Sequence, residues 1–238
     1  MKSQLKQLLR SVGYDIHRYN PSSSPICQLN QALRLHKIDL VLDVGANVGQ
    51  FAKGLREVGY NDRIVSFEPL IDAHRILSQA ARSTKGWEVH ERCAIGDMNG
   101  TIQINVSTNS VSSSVLPMLK EHSDAAPESA FTRSEETPIH TLDSVSARYM
   151  NFRNSTLIKI DTQGFEWQVL DGASETLKSA RGIIIELSLV TLYSGQRLWQ
   201  DIIARLETQG FNLWSLNPAF VDPRDGKTLQ LDGLFFRK

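Results

Sequence analysis

The sequence predicts an α/β fold: a doubly wound, Rossmann-like, mostly parallel sheet. Three observations carry this. Apolar, β-prone runs alternate with helix-spaced segments. A glycine-rich turn joins the first such strand to its helix, and a dense charged constellation ends a later buried strand. Composition agrees, with hydrophobic residues at 41% and charged residues at 22% of 238, ordinary values for a globular chain.

Residues 1–30 read as an N-terminal amphipathic helix and connector. Leu5, Leu8, Leu9 and Val12 recur at helical spacing, while Lys2, Lys6 and Arg10 line another face. The plain expectation is a helix packed on the domain; the sharper one is a basic helix touching an anionic membrane or a partner enzyme. Residues 31–238 form the main domain. Ile38 to Val44 is a nearly continuous apolar run broken only by Asp43, as a buried parallel strand requires. Val48 to Val58 follows with helix spacing and stops at Gly59. Arg63 to Phe67 is the second strand, Pro69 to Ala81 its helix, and Trp87 to Cys93 the third strand.

The rhythm then breaks. Thr101 to Val106 alternates like an edge or hairpin strand, and residues 107–137 are rich in Ser, Thr, Pro and acids. That stretch reads as an excursion with no fold of its own. It is a natural lid, whose Ser112, Ser113 and Ser114 hydroxyls suit a polyol. A short strand at Pro138 to Thr141 and a short helix at Leu142 to Tyr149 lead to the fourth main strand, Thr156 to Asp161. A helix (Phe165 to Leu177), a fifth strand (Gly182 to Leu187), a helix (Leu198 to Thr208) and a strand pair (Phe211 to Leu216, Leu229 to Phe236) complete the chain.

Bulk properties exclude several classes. Twenty-six basic residues balance twenty-six acidic ones, so no net charge draws the protein to nucleic acid. Two cysteines without a CxxC spacing argue against a disulfide framework or structural zinc and fit a reducing cytoplasm. No apolar run reaches the ~18 residues of a membrane span, and the N-terminus lacks a signal-peptide pattern. The expected location is cytoplasmic.

The most specific turn is Asp43-Val44-Gly45-Ala46-Asn47-Val48-Gly49. Gly45 and Gly49 permit a tight bend and close approach of a ligand, and the following helix N-terminus offers amide donors. The glycines do not follow G-x-G-x-x-G, which argues against a nicotinamide-dependent oxidoreductase, and no Tyr-x-x-x-Lys pair is present. An acid before the first glycine suits an ammonium group and the amides suit a carboxylate, as an amino-acid nucleoside such as S-adenosylmethionine presents. Glu68 ends the second strand, where a carboxylate grips two ribose hydroxyls. After the third strand, Ala94 and Ile95 offer an apolar wall for a base, with Asp97 an acceptor for its amine. On the fourth strand Lys159 and Asp161 share one face, and charges in a buried strand are costly unless paired or used.

DVGANVGQ, the FEP after the second strand, TLDS at Thr141 to Ser144, and LIKIDTQGFEWQVLDGA followed by IIIELS together resemble the FkbM-type methyltransferase family. The similarity covers Leu40 to Leu187 in order, and this chain has Gln163 where the family often has glutamate. The resemblance implies a class I methyltransferase fold, seven-stranded with the last strand antiparallel. It implies O-methylation of a sugar, glycan or natural-product hydroxyl, as in polysaccharide biosynthesis. By matching positions, Asp43, Gly45, Ala46, Asn47, Gly49 and Glu68 hold S-adenosyl-L-methionine, while Asp161, Glu166 and Glu186 face the reacting end. Asp161, oriented by Lys159, is the favoured general base, with His140 the second choice. No metal is assigned, although three carboxylates are the kind of set that holds one. The alternative is a non-catalytic interaction module that keeps the fold.

Overall fold

The computed structural model describes residues 2–16, 19–151 and 153–238. Its elements, in order, are α1 (Lys2–Ser11), α2 (Pro25–Leu35), β1 (Leu40–Val44), α3 (Gln50–Glu57), β2 (Arg63–Phe67), α4 (Ile71–Arg82), β3 (Trp87–Val89), β4 (Ala94–Gly96), β5 (Gly100–Ser107), α5 (Lys120–Ala125) and β6 (Phe131–Thr141). They continue with α6 (Leu142–Ser146), β7 (Thr156–Ile160), α7 (Glu166–Asp171), α8 (Ser174–Ser179), β8 (Ala180–Ser188), α9 (Trp199–Thr208), β9 (Phe211–Val221) and β10 (Thr228–Arg237). The main sheet has the order β3-β2-β1-β7-β8-β10-β9. All neighbours are parallel except β10, which runs antiparallel to both β8 and β9.

Alternation along each buried strand feeds two cores. Leu40, Leu42 and Val44 of β1 face one layer with Val169 of α7, Leu177 of α8 and Ile202 of α9. Val41 faces the other, with Leu33 of α2, Leu55 of α3 and Leu77 of α4. Helices on both faces bury the sheet, the doubly wound arrangement expected from the alternating pattern.

The structure departs from the sequence reading in five places, the first being that the expected third strand, Trp87 to Cys93, ends at Val89, with β4 joining a second sheet from Ala94. Helix α2 was not anticipated: Ser24 caps it, Pro25 starts it, and Leu29, Ala32 and Leu33 bury its inner face across the expected boundary at residue 30. The excursion is ordered: β6 begins at Phe131 and pairs with β5 and β4 in a separate three-stranded sheet. The helix expected over Phe165 to Leu177 is two, because Asp143 accepts hydrogen bonds from the amides of Glu175 (3.0 Å) and Thr176 (2.7 Å) and so caps a new helix, α8. Finally, α1 leaves most of its apolar stripe in solvent, with Leu9 half-buried. Leu5, Leu8 and Val12 are 54%, 65% and 64% exposed; the Lys2 side chain lies outside the described residues. Among the described residues, no helix is long and apolar enough to cross a membrane.

Candidate functional site

A cavity of about 280 Å³ opens where β1, β2, β7 and β8 end at their carboxyl termini, the position at which open parallel sheets take ligands. Strand register builds its floor. Ser66, Asp43 and Lys159 fall in one row across β2, β1 and β7. The Ser66 hydroxyl donates to Asp43 (2.9 Å). Lys159 Nζ donates to the Gly45 carbonyl at 2.8 Å and lies 3.4 Å from Asp43 Oδ1 and 3.3 Å from Asp161 Oδ2. Burial alone would lower the Lys159 pKa, but the Asp161 and Asp43 carboxylates outweigh it and hold it above the usual lysine value. The ammonium therefore stays charged between two acids.

At the bend, Gly45 has φ +76°, and a Cβ there would sit 1.8 Å from the Asp161 carbonyl oxygen. Only glycine allows β1 to turn this close to the end of β7. The bend's amides are not bare, contrary to the sequence expectation. Gly45 and Ala46 donate to the Phe67 carbonyl (3.1 and 3.0 Å), Gly49 to Ala46 (2.9 Å), Val48 to Asn47 Oδ1 (2.8 Å), and Asn47 to Glu68 Oε2 (2.7 Å). Free donors begin one step later: the ladder of α3 opens with the Lys53 amide on the Gly49 carbonyl, and among the described residues no side chain caps the amides of residues 50–52. Gln50 and Phe51 line the cavity.

Glu68 is 3% exposed, and its Oε1 accepts from the Leu70 amide at 2.9 Å. Each oxygen thus accepts one backbone bond and keeps a lone pair, enough for two vicinal hydroxyls. Burial raises its pKa to about 7 despite the Leu70 and Asn47 amides. Beside it, Phe67, Leu70, Ala94 and Ile95 form an apolar slot.

The opposite end is acidic. Gln163, at φ +54°, directs its amide nitrogen to Asp161 Oδ1 (2.9 Å) and to both Glu186 oxygens (3.2 and 3.0 Å). Gln230 adds a 2.6 Å bond to Glu186. Burial, then Asp161, holds the Glu186 pKa well above the usual range. Asp232 stands opposite Glu186 in the β10–β8 register, and burial raises it to about 6. Tyr193, fully buried, places its hydroxyl 3.0 Å from Gln163 Oε1 and 3.1 Å from the Ser112 carbonyl. That ties the excursion to the site. Residues 110–115 roof the cavity, and Ser110 meets Asn47 at 3.2 Å.

Of the residues singled out from sequence, Gly45, Ala46, Asn47, Glu68, Ala94, Ile95, Lys159, Asp161 and Glu186 line this one cavity. Five do not. Asp43 is fully buried beneath the bend and reaches the cavity only through Lys159. Gly49 turns toward Trp87. Asp97 is exposed in the turn after β4. His140 pairs with Ile95 inside the small sheet. Glu166 points back into its own turn, accepting from the Thr162 and Gly164 amides (2.9 and 3.1 Å) and fixing Gln163's conformation. The serine hydroxyls are also engaged internally: Ser114 donates to the Gln163 carbonyl (2.6 Å), Ser113 accepts from the Ser107 amide, and Ser112 from Asn109. Gln163, Tyr193 and Asp232 were missed; the departure from the family pattern at 163 was the one sequence signal among them. No group of three or more metal-ligating side chains is arranged to hold a cation among the described residues.

The model of the methyltransferase FkbM domain family matches residues 43–213. Among solved structures the chain is similar to TehB from Haemophilus influenzae (9% identity, 89% of this chain and 62% of that one, TM-score 0.47). It is also similar to magnesium protoporphyrin IX methyltransferase from Synechocystis PCC 6803 with bound SAM (11%, 100% and 97%, TM-score 0.48). A third is a putative methyltransferase from Thermobifida fusca YX (11%, 90% and 79%, TM-score 0.48). The chain thus spans less than two thirds of TehB. No curated protein matches it.

Proposed function

The chain belongs to the methyltransferase FkbM domain family, and from that premise we propose that it transfers a methyl group from S-adenosyl-L-methionine to a hydroxyl of a sugar, glycan or natural product. One observation carries this reading: a single cavity joins a buried carboxylate with free lone pairs, Glu68, to a carboxylate held beside an ammonium, Asp161. The cofactor, when bound, supplies an activated sulfonium methyl group. Glu68 would accept its two ribose hydroxyls, the slot of Ala94 and Ile95 would take its base, and the uncapped amides at Gln50 and Phe51 would take its carboxylate.

The remaining work is alignment and proton removal. Asp161 is 39% exposed, with Lys159 on Oδ2 and Gln163 on Oδ1. Its remaining lone pairs face the cavity and can accept the proton of an acceptor hydroxyl as the new bond forms, an effect of roughly 10²–10⁴-fold. Glu186 and Asp232, raised by burial toward their protonated forms, would position the acceptor through further hydrogen bonds. The roof over residues 110–115 would exclude water.

The test is methyl transfer from labelled cofactor to a panel of glycans, nucleotide sugars and small alcohols, run beside calorimetry. Asp161→Asn should bind cofactor with unchanged affinity and lose turnover by about 10²-fold or more. A variant that turns over at the wild-type rate removes Asp161 from the base role. One that fails to bind cofactor instead makes Asp161 a partner of the cofactor itself.

A further inference from the structure

We propose that α1 seats the molecule on an anionic phospholipid surface. The observation is an amphipathic helix whose apolar side, apart from the half-buried Leu9, lies open to solvent among the described residues. Leu5, Leu8 and Val12 are each more than half exposed, and among the described residues α1 shares no substantial packing with another element. The apolar character continues past the helix end through Tyr14 (69% exposed), Ile16 (49%) and Tyr19 (71%). Contiguous exposed apolar surface of this kind marks an interaction face.

Charge selects the occupant. Lys6 and Arg10 lie four residues apart, which places them in one row beside the apolar stripe. The helix holds no acid at all, in a chain whose charges otherwise balance. Helices that lie in a bilayer interface combine this basic flank with Leu and aromatic residues, and each cation near an anionic leaflet strengthens attachment. Among the described residues, the acidic neighbour of this row is Asp15, 3.1 Å from Arg10, and both partners are solvent-exposed (36% and 61%). Such a pair is weak and readily exchanges its carboxylate for a lipid phosphate. A second copy of the chain is the poorer occupant, because two copies of α1 would bring basic rows together with only Asp15 to meet them.

The experiment is co-sedimentation of the full chain with vesicles of phosphatidylcholine alone and of phosphatidylcholine with roughly 30% phosphatidylglycerol. Partitioning should be at least tenfold stronger on the anionic vesicles and should fall as salt is raised. Leu8→Glu with Val12→Glu should lower it at least tenfold, and Lys6→Glu with Arg10→Glu at least 25-fold, about fivefold per cation removed. All four residues are solvent-exposed, so the melting temperature of each variant should match the parent. Equal partitioning on both vesicles, or Leu8→Glu without effect, overturns the proposal. So does light scattering that shows a dimer in solution dissolved by Leu8→Glu, since the face then belongs to a second copy. The outcome is independent of methyl transfer.

Discussion

Glu68 concentrates the residue-scale chemistry. Its carboxyl is raised to about 7 by burial, so a proton that blocks acceptance of hydroxyls is present below neutrality and gone above it. Cofactor affinity should therefore fall as pH drops from 8 to 6. Calorimetry should show this trend in the parent and its loss in Glu68→Gln, which cannot titrate. Glu68→Ala should weaken binding at least tenfold at pH 8, about 1.4 kcal/mol; an unchanged dissociation constant removes Glu68 from the cofactor site. The sequence made Glu68 legible because a carboxylate after the second strand has few other uses. It misled at Asp43, since register rather than chain position decides that Lys159 lies between Asp43 and the cavity. Tyr193 and Asp232 had no local signal: each is brought to the site by packing between distant segments.

At the scale of elements, the turn after β1 sets the geometry of the whole cleft. Gly45→Ala must combine a left-handed φ with a contact no side chain survives. The cost should be roughly 2–5 kcal/mol, measured by denaturant unfolding, with cofactor binding lost as well. Parent-like stability would show that β1 and β7 can separate cheaply. The strands and helices of the main sheet were readable because continuous apolar runs mark buried parallel strands, whereas the helices between them follow the 3.6-residue period. The excursion was not. Phe131 to Thr141 reads as polar because the strand buries only alternate residues, such as Glu135 and Thr137, against its small sheet.

For the whole molecule, the site imposes a dependence on pH. Glu68 near 7, Asp232 near 6 and Glu186 well above the usual range all bind protons more tightly folded than unfolded, where carboxyls titrate near ~4. Their contribution is greatest below the unfolded value and is lost as pH rises through the folded values. Burial lowers His36, His90 and His122, to about 4 for the last, and these act in the opposite sense only below the unfolded histidine value of about 6.5. Between pH 6.5 and 8 the carboxyls dominate, so the melting temperature of the unliganded protein should fall across that interval. A flat or rising profile by calorimetric scanning would contradict this.

The antiparallel position of β10 has a consequence in time. Among the described residues β9 pairs with β10 alone, which slots between it and β8 and carries Asp232 to the cavity wall. During synthesis β9 leaves the ribosome first and must wait without a neighbour, its Leu213, Trp214 and Leu216 still partly open to water even in the finished fold. The cavity wall at Asp232 is therefore completed only after β10 has followed β9 out.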